Sequence, residues 1–227
     1  MWLLDWMFHP QCAACSAPGA PLCEPCAGAL VELGPACPRC AEPTGVTSVT
    51  CPRCLRAPLS LERIVSPWRF GGPLASAIRR LKFTGENHIA RTVAPLWAPL
   101  VAAAAISGGL VVPVPLHWRR RFERGYDQAW LLALHACKYV HIAPPLPVLA
   151  RTRYAPPQST LAAVERRANL RGVFRVIPRY AARIAGREIV LIDDVVTTGS
   201  TLAAASDALL ASGARSVIGV ALARAGQ

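Results

Sequence analysis

Eight of the nine cysteines fall into four Cys-x-x-Cys pairs: Cys12/Cys15, Cys23/Cys26, Cys37/Cys40 and Cys51/Cys54. Two intervening residues let both thiolates of a pair reach one tetrahedral ion, and two such knuckles close a four-thiolate zinc site. So short a segment has little apolar core, so bound metal must supply most of its folding energy. Four knuckles imply two structural Zn²⁺ ions. Pairing adjacent knuckles is simplest and closes loops of seven and ten residues, while interleaved pairing meets the same spacing. Pro38-Arg39 and Pro52-Arg53, inside two of the knuckles, suit a tight turn. Met1 to His9 is apolar but short, carries Asp5 and lacks a basic start, so no export signal is expected. A cytoplasmic chain meets a reducing compartment, which favours metal over disulfides. A redox Cys-x-x-Cys would be single and beside a βαβ unit. Cys137, alone on an apolar helix, is expected in the core.

The remaining chain has another character. Residues 1–60 hold 3 Arg and 4 acids, whereas residues 61–227 hold 22 basic and 9 acidic residues. The first part therefore carries a net −1, which suits protein contact better than nucleic acid. The second carries +13, pointing to an anionic partner: a polyphosphate, a nucleic acid or both. Of the 25 basic residues 23 are Arg, a bias that base composition can also produce. At 53% apolar residues the chain can build a real core, with room for one α/β domain beside the cysteine module. Val93 to Leu116 carries no charge, but Pro95, Pro99, Gly108, Gly109, Pro113 and Pro115 break it, so no membrane span is expected.

Residues 189–201 point to chemistry. Ile189 to Ile192 form a buried, parallel-type strand. Asp193 and Asp194 stand at its carboxyl end, where open α/β sheets place ligands. Thr197, Thr198, Gly199, Ser200 and Thr201 form a small, hydroxyl-rich turn leading into an Ala-rich helix. Such a turn offers backbone N–H groups, hydroxyls and a helix N-terminus to one phosphate. Two carboxylates beside it suit the hydroxyls of a ribose 5-phosphate. No Gly-Lys-Ser/Thr follows the glycine, which argues against a P-loop.

Strands at 64–70, 110–114, 146–150, 173–177, 189–192 and 216–222 alternate with helices over 71–82, 89–106, 128–139 and 202–210. That order predicts a doubly wound parallel α/β sheet. A cationic loop, residues 116–128, separates the 110–114 strand from its next helix. It includes His117, to which the sequence assigns no role. The aromatics near the basic segments, Trp118, Phe122, Tyr126 and Tyr154, suit either base stacking or the core.

The 189–201 segment resembles the phosphoribosyl pyrophosphate (PRPP) signature of type I phosphoribosyltransferases. The wider order resembles the ComF family of competence proteins, a double zinc ribbon followed by a type I phosphoribosyltransferase domain. The matching pieces are the knuckles, Leu81-Lys82-Phe83, Val112 to His117, Arg124-Gly125-Tyr126-Asp127-Gln128, Pro157-Gln158, Arg167 to Phe174 and the acidic signature. The resemblance implies a zinc ribbon over 1–58 and a phosphoribosyltransferase-like domain over 59–227. It implies that Asp193 and Asp194 hold the ribose hydroxyls and that Thr197, Thr198, Gly199, Ser200 and Thr201 hold the 5-phosphate. Arg124, more than its neighbours Arg119, Arg120 and Arg121, is the expected pyrophosphate partner, with Lys82 in reach of phosphate and Mg²⁺ accompanying PRPP. Gln158, Arg167 and Asn169 would belong to a cover loop.

The family implies work on incoming single-stranded DNA, with other competence proteins docking on the ribbons. The alternative is a nucleotide-salvage phosphoribosyltransferase acting on a nitrogenous base. Enzymes of this kind that salvage 6-oxopurines carry an Asp where this chain has Thr197, which disfavours hypoxanthine and guanine. Two positions depart from the family pattern: Asp127 replaces an Asn, and Ala155-Pro156 replace the residues, including a Thr, before Pro157-Gln158. Both bear on pyrophosphate affinity or substrate preference.

Overall fold

The computed structural model describes residues 11–106, 108–153 and 172–226. Its strands are β1 (Arg63–Val65), β2 (Trp68–Arg69), β3 (Leu110–Pro113), β4 (Leu149–Arg151), β5 (Phe174–Val176), β6 (Glu188–Val196) and β7 (Ser216–Arg224). The main sheet has the order β1-β7-β6-β3, with β2 also pairing with β7, and every pairing is parallel. Ser66-Pro67 splits one expected strand into β1 and β2, because proline cannot donate to a ladder.

Side chains alternate across a strand, and the two sides of β6 build two cores. Ile189 and Leu191 join Leu202, Ala203, Ala205 and Leu209 of the helix Ser200–Ala211. On the other face, Val190 and Ile192 join Ile78 and Leu81 of Gly72–Phe83, Val101 of Ala98–Ala104 and Leu132 of Gln128–Tyr139. Helices on both faces make the sheet doubly wound, as expected.

Two expectations are corrected. The strands near 146–150 and 173–177 do not enter the main sheet; β4 and β5 pair with each other, antiparallel. The helix expected over 89–106 is three shorter pieces, Ile89–Val93, Ala94–Leu96 and Ala98–Ala104, because Pro95 and Pro99 lack the N–H that a continuous helix needs. Among the described residues no helix is long and apolar enough to cross a membrane.

The cysteine module grips the sheet on both faces. On one, Arg80 Nη1 donates to the Cys12 and Ala13 carbonyls at 2.8 and 3.1 Å, and Ser76 Oγ donates to the Ala14 carbonyl at 2.7 Å. On the other, Cys37, Cys40, Cys51 and Cys54 lie in the core that holds Leu59, Ile64 and Leu202. Arg39 donates to the Leu59 and Leu61 carbonyls, and Ile64 N–H donates to the Arg39 carbonyl at 3.0 Å. Glu42 pairs with Arg53 and with the fully buried Arg224 at the end of β7. Between the two clusters, the Leu33 and Arg69 N–H groups donate to the Pro67 and Val31 carbonyls along the β2 edge.

Candidate functional site

The cysteines gather as Cys12, Cys15, Cys23, Cys26 and as Cys37, Cys40, Cys51, Cys54, the ligand atoms of each group within 4.8 Å of one another. Adjacent knuckles therefore pair, which the spacing alone left open. Four thiols converging in this way suit a structural zinc ion at each cluster. In each cluster the surroundings shift one thiol toward thiolate, while burial and neighbouring sulfurs push Cys26 and Cys54 up. Burial works against ionisation at Cys12, but backbone N–H donors, led by Cys23, outweigh it and bring the thiol down to about 6. The same balance brings Cys37 down to about 7. Cys137 is buried in the core, where desolvation pushes its thiol up to about 11.

The strand expected to stop at Ile192 runs on to Val196, so the two acids lie within β6, and alternation turns them to opposite faces. Asp194, buried, faces the side of the helix Gly72–Phe83 and accepts from Lys82 Nζ at 2.7 Å. Its second oxygen, Oδ2, is buried with no hydrogen-bond partner among the described residues. Asp193 takes the other face, with Oδ1 accepting from the Asp194 N–H at 2.9 Å. Burial, and then the charge of Asp194, push its carboxyl up to about 7.

Arg124 joins this group from the cationic loop. Its Nη1 donates to Gln128 Oε1, and its Cζ lies 5.5 Å from the centre of the Phe83 ring. Burial lowers its pKa, against the opposing charge of Asp194. Lys82 is thus held on Asp194, while Arg124 is held by Gln128 and Phe83 and feels the Asp194 charge. Phe83 and Gln128, quoted in the sequence only as members of their motifs with no role assigned, seat Arg124.

The loop that supplies Arg124 is more ordered than its composition suggests. Residues Trp118–Arg124 form a helix with no buried side chain. His117 caps it, Nδ1 accepting from the Arg119 N–H at 3.3 Å, so this histidine has a structural role. Gly125 ends the helix at φ 82°, a left-handed conformation that glycine adopts without a Cβ penalty. Asp127 begins the next helix. Its Oδ1 accepts from the Ala129 and Trp130 N–H groups at 3.1 and 3.2 Å, and Oδ2 accepts from the Leu116 N–H at 2.8 Å. The departure from Asn therefore falls at a helix cap, a position that both residue types fill well. Arg119 lies over Trp118 at 5.4 Å, and both Trp118 and Phe122 are exposed.

After Asp194 the chain turns through Thr197, exposed, and Thr198, buried, to Gly199. The Thr198 and Ser200 hydroxyls share a 2.8 Å hydrogen bond, and the Ser200 N–H donates to Thr198 Oγ1 at 3.3 Å. Thr201 lies in the first turn of the helix that follows, which no side chain caps. Gly199 has φ 80°, and a Cβ there would stand 2.8 Å from Ile64 Cδ1 and 3.2 Å from Leu59 Cδ1. Its backbone conformation and the core behind it both require glycine, whereas the sequence suggested only the approach of a ligand. Gln158, Arg167, Asn169 and Tyr154 lie outside the described residues.

A doubly wound parallel sheet with this acid pair and hydroxyl-rich turn, joined to two four-cysteine clusters, defines a double zinc ribbon fused to a type I phosphoribosyltransferase domain. Comparison with known families agrees: a double zinc ribbon domain matches residues 3–55, and a phosphoribosyl transferase domain matches residues 132–227. The chain is 36% identical over 169 residues to DNA utilization protein YhgH of Escherichia coli O157:H7, covering 72% of each chain. It is 33% identical over 153 residues to Competence protein F of Haemophilus influenzae, covering 65% of this chain and 66% of that protein. The chain belongs to the ComF family.

Proposed function

We propose that the chain binds PRPP at the end of β6 and acts with single-stranded DNA in the cytoplasm. The names of its relatives, a DNA utilization protein and a competence protein, support the part that concerns DNA. The observation that carries the PRPP reading is the ion pair of Lys82 with Asp194, beside a helix N-terminus that begins at Gly199. In this reading Asp193 and Asp194 accept hydrogen bonds from the ribose hydroxyls. Thr197, Thr198, Gly199, Ser200 and Thr201 receive the 5-phosphate on backbone N–H groups and hydroxyls. Lys82 and Arg124 face the pyrophosphate, and Gln158, Arg167 and Asn169 cover the ligand. The oxygen donors Asp193 and Asp194 Oδ2 fit a hard cation, and Mg²⁺ arriving with PRPP would neutralise the departing pyrophosphate. Loss of pyrophosphate leaves an oxocarbenium-like sugar, which a nitrogen nucleophile would attack; fixed carboxylates close by stabilise that positive charge. Residues 1–58 and 59–227 would work as one unit, with the ribbons also open to docking by other competence proteins.

Calorimetry with PRPP and Mg²⁺ tests the site. The double variant Asp193→Asn, Asp194→Asn should lose at least tenfold in affinity, and unchanged affinity would place PRPP elsewhere. For DNA, affinity for an oligonucleotide should fall steeply with salt, by about 0.7 in log affinity per log salt for each phosphate neutralised. Replacing Arg119, Arg120 and Arg121 together should flatten that slope. Arg56→Ala, an exposed charge change in the ribbon, should not. Weak DNA binding at low salt beside tight PRPP binding would leave a phosphoribosyltransferase acting on another acceptor.

A further inference from the structure

Beside the acids lies a cavity of about 530 Å³ that the PRPP reading does not use. It opens where β3 ends, between the cationic loop and the β4–β5 pair. Pro113, one of its lining residues, is paired in register with Ile192, the residue before Asp193. The volume lies within the range of small-molecule sites, about 300–1,000 Å³.

Its walls have a definite chemistry. Trp118, Tyr126 and Trp130 contribute aromatic rings, and Pro115, Pro147 and Ile177 contribute flat apolar surface. Three arginines, Arg121, Arg151 and Arg179, line the same space. Among the described lining residues the one carboxylate, Asp127, already accepts three backbone N–H bonds. Among the described residues no carboxylate forms an ion pair with Arg121, Arg151 or Arg179. Arg151 is half-buried, its Cζ lies 5.6 Å from the Phe174 ring centre, and its Nε is buried without a hydrogen-bond partner among the described residues. Three arginines around one cavity, none of them paired with a carboxylate among the described residues, favour an anionic ligand there.

We infer that this cavity binds a planar aromatic ring carrying a negative charge, the ring lying among Trp118, Tyr126 and Trp130 and the anion facing Arg121, Arg151 and Arg179. This deepens the PRPP reading and rests on it, since it names the class of second ligand at that site. Two sources share the chemistry: a small heteroaromatic carboxylate, which would be an acceptor base, and a mononucleotide unit of a DNA strand. The described lining offers no free carboxylate to accept from the ring N–H groups of a neutral purine.

Calorimetry on the whole, zinc-loaded chain tests this, with nicotinate and quinolinate for one source and dAMP and dTMP for the other. Nicotinamide and deoxyadenosine provide uncharged rings, and inorganic phosphate provides charge without a ring. At least one charged aromatic class should bind, and its uncharged counterpart and phosphate should bind at least tenfold more weakly. Whichever class binds identifies the source. Arg151→Met should reduce that affinity at least tenfold, and the exposed Arg179→Ala about threefold. PRPP titrated into the same samples reports on the neighbouring site and on folding. Equal binding of charged and uncharged rings, or unchanged affinity in both variants, overturns the inference. Charged rings binding while PRPP does not would overturn the PRPP reading and leave the cavity assignment standing; PRPP binding while no charged ring does would overturn the cavity assignment alone.

Discussion

Asp193 titrates near neutral pH because of its position. Burial, and the neighbouring Asp194 charge, raise it from the usual 3.8 to about 7. Between those values the folded chain holds a proton that the unfolded chain has lost, so this group makes folding less favourable as pH rises across that window. Asp193→Asn removes the effect. Its stability relative to the parent should therefore improve by about 1–3 kcal/mol from pH 5 to pH 8, read from urea midpoints at each pH. Ligand binding should show the opposite trend. A carboxylate accepts from ribose hydroxyls better than a carboxylic acid, so PRPP affinity should rise as pH passes about 7 in the parent and stay flatter in Asp193→Asn.

At the scale of elements, the cationic loop is set by two caps. His117 starts the helix Trp118–Arg124, and Asp127 starts the helix Gln128–Tyr139 while also holding the Leu116 N–H. Asp127→Ala should cost about 1–2 kcal/mol, within the usual range for losing a helix cap, and Asp127→Asn less, since it keeps the cap oxygen but loses the acceptor for the Leu116 N–H. Thermal unfolding of the two variants against the parent measures this. Because Arg124 hangs from the same loop, Asp127→Ala should also weaken PRPP more than Asp127→Asn does. An equal effect of both variants on PRPP would show that the carboxylate charge matters and the cap does not.

Taken whole, the molecule places one cysteine cluster behind each face of the sheet. The first supports the helix that carries Lys82, through Arg80 and Ser76. The second shares a core with Leu59 and Ile64, the side chains that meet Gly199. Zinc loss should therefore loosen the candidate site as well as the ribbon. Cys37→Ser should lower the unfolding midpoint of the whole chain in one transition, since metal binding contributes directly to folding free energy. Hydrogen exchange should show protection lost in β1 and in residues 197–201 together with the ribbon. A loss confined to residues before 59 would show two independent folding units.

How much could be read from the sequence differed by feature. The cysteine knuckles, an apolar strand leading to Asp193-Asp194, and the turn through Gly199 were legible, because their chemistry is set by residues a few positions apart, although the strand runs on to Val196. Short-range spacing fixes whether two thiolates can share an ion and where an alternating strand buries its faces. The adjacent pairing of the knuckles, the Lys82–Asp194 ion pair across 112 positions of chain, the seat of Arg124 on Phe83 and the Glu42–Arg224 contact were not legible. Nor was the separation of β4 and β5 from the main sheet, since an apolar run has the same pattern in either pairing. These features depend on which surfaces meet when the two cores form, and the packing of the whole chain decides that.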